Sequence, residues 1–151
     1  MGTNVDRLEL TQHFNWNEAT TTSTGLLNAP DTEVHRKNIL NTATHMEIVR
    51  AILGRNGIKV NSWYRSPIVN KRVGGVPTSE HAEGRAVDFT CAKFGTPRKI
   101  CETLIHYAHI LNYNQLIDEG TWVHVSFPPE GSVGKKEVLT MRNGKYTKGL
   151  T

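Results

Sequence analysis

The strongest constraint on the fold is an amphipathic run from Thr32 to Leu53. Ile39, Ala43, Met46 and Leu53 recur near helical spacing, Val49 or Ile52 extends the stripe, and Gly54 and Gly57 stop it. A helix with one apolar stripe must lay that stripe against another layer of structure. The rest of the chain supplies candidates for that layer in short pieces. "GIKVNSWYR" reads as a strand leaving a turn, and "RAVDFT" reads as a second short strand. "QLIDEG" and "WVHVSF" read as a strand pair around a turn, and Asn143-Gly144 marks a final hairpin.

Between the first two strands, "SPIVNKRVGGVPTS" is punctuated by Ser-Pro, Gly-Gly and Val-Pro and reads as a long loop. Thr96 followed by Pro97 starts a second helix, which is expected to reach about Leu111 with Ile100, Leu104, Ala108 and Leu111 inward. Residues 1–31, rich in Thr and Asn, read as an irregular arm pinned to the core by Phe14 and Trp16. The expectation is an α+β fold: one small domain over residues 1–151, helices packed on a mainly antiparallel sheet, with the arm packed on it.

Composition narrows the function only a little. Hydrophobic residues are 37% and charged residues 21%, which excludes a disordered chain. No run approaches the roughly 20 apolar residues of a membrane span, and the N-terminus lacks a signal-peptide core. Neither a transmembrane anchor nor a secretory leader is expected. Cys91 and Cys101 form no CxxC pair, so thiolate zinc is not expected and both read as free thiols. The net charge of +4, concentrated in "GKKEVLTMRNGKYTKG", suits an anionic partner. Nucleic acid is not the expected one, because no aromatic residues interleave with the basic ones and no helix-turn-helix or finger spacing is present.

Chemistry concentrates in "SEHAEGRAVDF" and "WVH". Strand alternation puts Val87 and Phe89 on one face and Ala86 and Asp88 on the other. The same rule sends Val123, Val125 and Phe127 to the core and Trp122, His124 and Ser126 to the opposite side. If these two strands adjoin, Asp88 and His124 project into one space. His81 stands just ahead of the first strand, and Gly84 permits a sharp bend between them. Two histidines and one carboxylate leave a fourth tetrahedral position for water, a donor set that suits zinc better than calcium, with iron also open. A hydrolytic metal also needs a base that is not a ligand, and Glu119 and Asp118 are the carboxylates nearest His124 in sequence. His106 and His109 lack a partnered carboxylate, and His13, His35 and His45 have no supporting geometry.

These motifs resemble the signature of the zinc D-alanyl-D-alanine carboxypeptidase and peptidoglycan peptidase family, which includes VanX-type dipeptidases and phage endolysins. "HFNWNEA" resembles its opening arm, "SWYRSPIVNKRVGG" its arginine-bearing strand and loop, and "NYNQLIDEGTWVHVSF" its closing hairpin. The resemblance implies a hedgehog/D-Ala-D-Ala-peptidase-like fold and one Zn2+ on His81, Asp88 and His124. It further implies Glu119 as catalytic base, Arg65 as a catalytic and substrate-binding cation, and Ser79 and Trp122 as substrate-binding side chains. The best-known members carry an acidic residue three positions before the last histidine, where this chain has Thr121. The shorter phage-type branch sets its glutamate further back, as Glu119 is here.

The implied function is hydrolysis of a peptidoglycan stem-peptide amide, either as a D-Ala-D-Ala carboxypeptidase or as an L-Ala-D-Glu or cross-link endopeptidase. The implied setting is a monomeric phage endolysin, made in the host cytoplasm and acting in the periplasm or cell wall after release. The alternative is a zinc-containing recognition module without catalysis, as in hedgehog-like relatives.

Overall fold

The computed structural model describes residues 9–151. A six-stranded sheet forms its centre: β3 (Lys59–Ser62), β4 (Ala86–Thr90), β5 (Gln115–Asp118), β6 (Val123–Ser126), β7 (Glu137–Arg142) and β8 (Lys145–Lys148), in the spatial order β3-β4-β6-β5-β7-β8. Every neighbouring pair is antiparallel except β5 with β7, which run parallel. The sheet is therefore mixed where the sequence pattern suggests antiparallel pairing. After β6 the chain passes over residues 127–136 and returns on the far side of β5. The register of this return is set by backbone bonds from Lys136 N–H to Tyr113 C=O and from Glu137 N–H to Asn114 C=O. Gly134 N–H donates to Asn112 Oδ1 at 2.7 Å, and a side chain at Gly134 would run into the carbonyl oxygens of Asn112 and Tyr113. Only glycine fits so close an approach.

The long helix, labelled α2 (Glu33–Ile52), lies on one face of the sheet and is capped by Thr32, whose side chain accepts from His35 N–H. Its stripe of Ile39, Ala43, Met46 and Val49 is fully buried with Val87, Phe89, Val123, Val125 and Phe127. Burying each large apolar side chain contributes about 1.5–3 kcal/mol. Ile100, Leu104 and Leu111 join this core as the inward face expected of the second helix. That helix is shorter than its pattern suggests: α4 (Pro97–His106) ends at Tyr107, and a separate turn, α5 (Ala108–Leu111), follows. Apolar spacing continues across Tyr107 although the backbone hydrogen-bonding does not, so periodicity alone reads straight through the break. Cys91 and Cys101 are free and buried in the core; burial pushes the Cys101 thiol up to about 12.

Two other segments are more ordered than their composition implies. The Ser-Pro of the expected loop starts a helix, α3 (Pro67–Arg72), with Ser66 as its cap and Pro67 at the first helical position. Only Val73–Ser79 remains irregular apart from turns. Within residues 9–31 a two-stranded ribbon, β1 (Glu9–Thr11) and β2 (Phe14–Asn15), leads into one helical turn, α1 (Trp16–Ala19), closed by a reciprocal capping box between Asn15 and Glu18. Residues 1–8 of the expected arm lie outside the described residues. Phe14 is buried edge-on against Trp63 at 6.2 Å, and Trp16 packs on the core, as expected of the arm's anchors. The arm also holds the segment after β3. Asn28 donates to the carbonyls of Thr20 and Tyr64 and accepts from Ser66 N–H at 2.7 Å, which fixes the backbone on either side of Arg65. At the other end of the sheet, Asn143 and Gly144 both take positive φ, as a tight two-residue hairpin between β7 and β8 requires.

Candidate metal centre

The face of the sheet away from α2 carries the polar side chains. Strands β4 and β6 do adjoin, and Asp88 is directly opposite His124 in their register. His81 comes from a single 3-10 turn, Glu80–Glu83, capped by Ser79, whose Oγ accepts from His81 N–H. The turn stops at Gly84 with φ of 80°, where a Cβ would press into Ile39 at 2.8 Å. The Gly84 carbonyl accepts from both Thr42 Oγ1 and Trp63 Nε1, so the turn is bolted to α2 and to the segment after β3. The result brings one ligand atom from each of His81, Asp88 and His124 within 4.8 Å of one another.

Hydrogen bonding fixes what these atoms can do. The carbonyl of Trp63 can only accept, so His81 Nδ1, 2.7 Å away, carries the proton. In the neutral ring, Nε2 then presents a lone pair to Asp88 Oδ2 at 3.3 Å. Two electron-rich atoms facing each other in a buried site call for a cation between them. The carbonyl bond to the other ring nitrogen is the usual way a ligating imidazole is oriented. Burial pushes the His81 pKa down, against the pull of Asp88, and favours the neutral ring. Burial works the other way on Asp88, yet His81 and His124, through charge and hydrogen bonds, hold its carboxyl well below the usual carboxylate range. His124 Nδ1 is 2.9 Å from Asp88 Oδ1. Two imidazoles and an ionised carboxylate fit a zinc ion, which takes nitrogen and oxygen donors and leaves a position for water.

The set opens into a cleft of about 730 Å³, lined also by Arg65, Ser79, Glu119 and Trp122 but not by Asp118. Arg65 lines it with its Nη2 3.6 Å from Asp88 Oδ2 and its Nε donating to Ser62 Oγ at 3.2 Å. Burial lowers the Arg65 pKa and Asp88 opposes the shift; a guanidinium stays charged under both influences. Ser79 and Trp122 also line the cleft, the latter with its indole Nε1 buried and without a hydrogen-bond partner among the described residues. Glu119 lines it too, and burial raises its pKa while His124 pulls it back. The neighbouring Asp118 points into the opposite face, fully buried, accepting from Gly120 N–H at 3.0 Å and paired with Arg142 at 2.9 Å. The structure therefore separates two carboxylates that spacing alone leaves equivalent.

Sequence reasoning missed Glu80. Its Oε1 accepts from Ser126 Oγ at 2.7 Å, and its Oε2 accepts from Asn114 Nδ2 and Arg85 Nη1, each at 3.0 Å. One carboxylate thus ties the turn bearing His81 to the strand bearing His124. Alternation already puts Ser126 on the face of His124, and that was the available signal. Also missed were Gln115, Ile117, Leu139, Met141 and Tyr146, which line the cleft from β5, β7 and β8. The remaining histidines stay outside it: His13 pairs with Glu47, His35 packs against Tyr64, His45 stacks on Phe127, and His106 and His109 are exposed.

Comparison with known proteins agrees with this geometry. The model of the peptidase M15 family matches residues 9–126, most of the chain, and no curated protein matches it. The chain belongs to the peptidase M15 family, and with its His-Asp-His set it is a zinc metallopeptidase of the peptidoglycan-cleaving type.

Proposed function

We propose that this M15 peptidase hydrolyses an amide bond of the peptidoglycan stem peptide, with Glu119 as general base and Arg65 as the cation that meets negative charge on the substrate. The observation that carries the proposal is the convergence of His81, Asp88 and His124 at a cleft that Glu119 and Arg65 also line. A zinc ion held by these three side chains would polarise the scissile carbonyl and bring the pKa of a bound water toward neutrality.

The chain's own groups supply the rest. Glu119 Oε accepts a proton from the attacking water and returns it to the leaving amine, and the partial burial that raises its pKa makes it a stronger acceptor. Arg65, steadied by Ser62 and by the bonds around Asn28, presents a fixed positive charge to an oxyanion or a substrate carboxylate. Ser79 and Trp122 border the peptide as it enters. Asp88 serves two purposes: it completes the donor set, and its negative charge beside Arg65 limits how far that side chain can swing.

The setting we propose is a monomeric phage endolysin, made in the host cytoplasm and acting on the wall after release. Its support is the resemblance to the short phage-type branch and the lack, among the described residues, of any helix long and apolar enough to cross a membrane. Mass spectrometry of purified peptidoglycan digested by the zinc-loaded protein tests the reading by locating new amino and carboxyl termini. Loss of a terminal D-alanine marks a carboxypeptidase, and paired internal termini mark an endopeptidase. A digest with no new termini at full zinc occupancy defeats the proposal and favours a recognition module.

A further inference from the structure

The β7–β8 hairpin lies C-terminal to the residues matched by the family model, yet it builds a wall of the cleft. Register shows how. Asp88 pairs with His124, His124 with Ile117, and Ile117 with Leu139, so these four side chains form one row across β4, β6, β5 and β7 on the same face. Met141, two residues beyond Leu139, shares that face, and Tyr146 stands opposite Met141 on β8. Ile117, Leu139, Met141 and Tyr146 all border the cleft, while Thr140, between Leu139 and Met141, is buried on the reverse side. The polar metal end therefore continues into an apolar, aromatic-tipped shelf. Neighbouring strands are about 4.8 Å apart, so Leu139 is roughly 10 Å from His124, about three residues of extended peptide.

Resting on the function proposed above, we infer that the β7–β8 hairpin is a specificity shelf. Leu139, Met141 and Tyr146 hold an aliphatic side chain of the stem peptide about three residues from the scissile bond. Two features single out this occupant. Tyr146 is 58% exposed at the rim although it borders the cleft, so it has apolar surface that a bound chain would cover. The row begins at the metal set, so a peptide anchored there and running across the strands crosses the shelf. Lys148 stands opposite Leu139 on the same face but does not line the cleft, so the hairpin's contribution to the cleft wall is Leu139, Met141 and Tyr146.

Binding rather than turnover gives the decisive test. The zinc-loaded Glu119→Gln protein is titrated calorimetrically with a synthetic stem pentapeptide and, separately, with acetohydroxamate, a small metal ligand that does not reach the shelf. Adding Met141→Ala and Tyr146→Ala should weaken the pentapeptide about tenfold or more and leave acetohydroxamate within twofold. Pentapeptide binding that stays within twofold, or that is absent before the hairpin is altered, overturns the shelf; so does an equal loss of both ligands. Wall digestion by the otherwise natural protein separates the two proposals. If the pentapeptide depends on the shelf but no wall bond is cut, the shelf stands and the hydrolytic reading falls. If walls are cut equally well with and without the two hairpin substitutions, only the shelf falls.

Discussion

The two ends of the cleft are built on opposite plans. At the metal end His81 and Asp88 are buried, and each ligand is held by a second group: Trp63 for His81, His124 for Asp88, and Glu80 for the turn and strand that carry the histidines. At the hairpin end Tyr146 is largely exposed and the whole of β8 faces solvent. A donor set must be held to a few tenths of an ångström, and that precision comes from burial and from hydrogen bonds that orient its ligands. A surface that recognises a variable side chain needs apolar area and little else. The comparison teaches that chemistry and selectivity occupy different mechanical environments on one sheet.

The sharpest way to break the metal end is Asp88→Ala, which leaves two imidazoles without the carboxylate between them. Metal content, expected near one zinc per chain in the natural protein, should fall close to zero and activity with it; elemental analysis after gel filtration decides. Next in size is Glu119→Gln, expected to keep the zinc and the fold while lowering turnover by about 10²–10⁴. Asp118→Asn is its control. It weakens the pair between buried Asp118 and the half-exposed Arg142, so it should lower the melting temperature and spare turnover per zinc. The reverse pattern, with Asp118→Asn inactive and Glu119→Gln active, would move the base to the other carboxylate.

Glu80→Gln probes the tether rather than the ligands. Losing the charge that gathers Ser126, Asn114 and Arg85 should lower zinc affinity by about 10-fold to 100-fold, with the ligands themselves unchanged. Competition with a chelator of known affinity measures it, and an unchanged affinity would mean that the turn holds itself. The smallest effect is a dependence on pH. Burial keeps the His81 pKa below its unfolded value, so below about pH 6.5 the unfolded chain binds more protons at this site and stability declines as pH falls. Asp88, also held low, adds loss in the same direction below about pH 4. Denaturation of the metal-free protein across this range should show the decline, and His81→Gln should flatten its upper part. A natural protein whose stability is flat from pH 7 to 5 would refute it.

Local pattern carried much of this molecule into view. The stripe of α2, the start of α4 at Pro97, the alternation in β4 and β6 and the Asn143-Gly144 turn all depend on residues a few positions apart, and each stands where its spacing implies. Asp88 and His124 were legible for the same reason, once their strands were taken as neighbours. The residues that escaped notice depend on distant pairing. Ile117 meets Leu139 through a parallel alignment that no hairpin rule anticipates, and Glu80 finds Ser126 only after the turn has closed on the sheet. Ser66-Pro67 shows a different limit. The same dipeptide signals a loop or a helix start, and the outcome here depends on whether Ser66 can cap Val69.

The return of the chain to the far side of β5, squeezed past Tyr113 at Gly134, also sets an order in time. All three metal ligands precede residue 125, whereas β7 can align with β5 only after the segment that passes Gly134 has been made and threaded into place. During synthesis, the donor set can therefore assemble before its neighbouring wall exists. An intermediate that captures zinc yet discriminates poorly among peptides is the signature to seek, through metal uptake and peptide binding followed separately on ribosome-bound chains of increasing length.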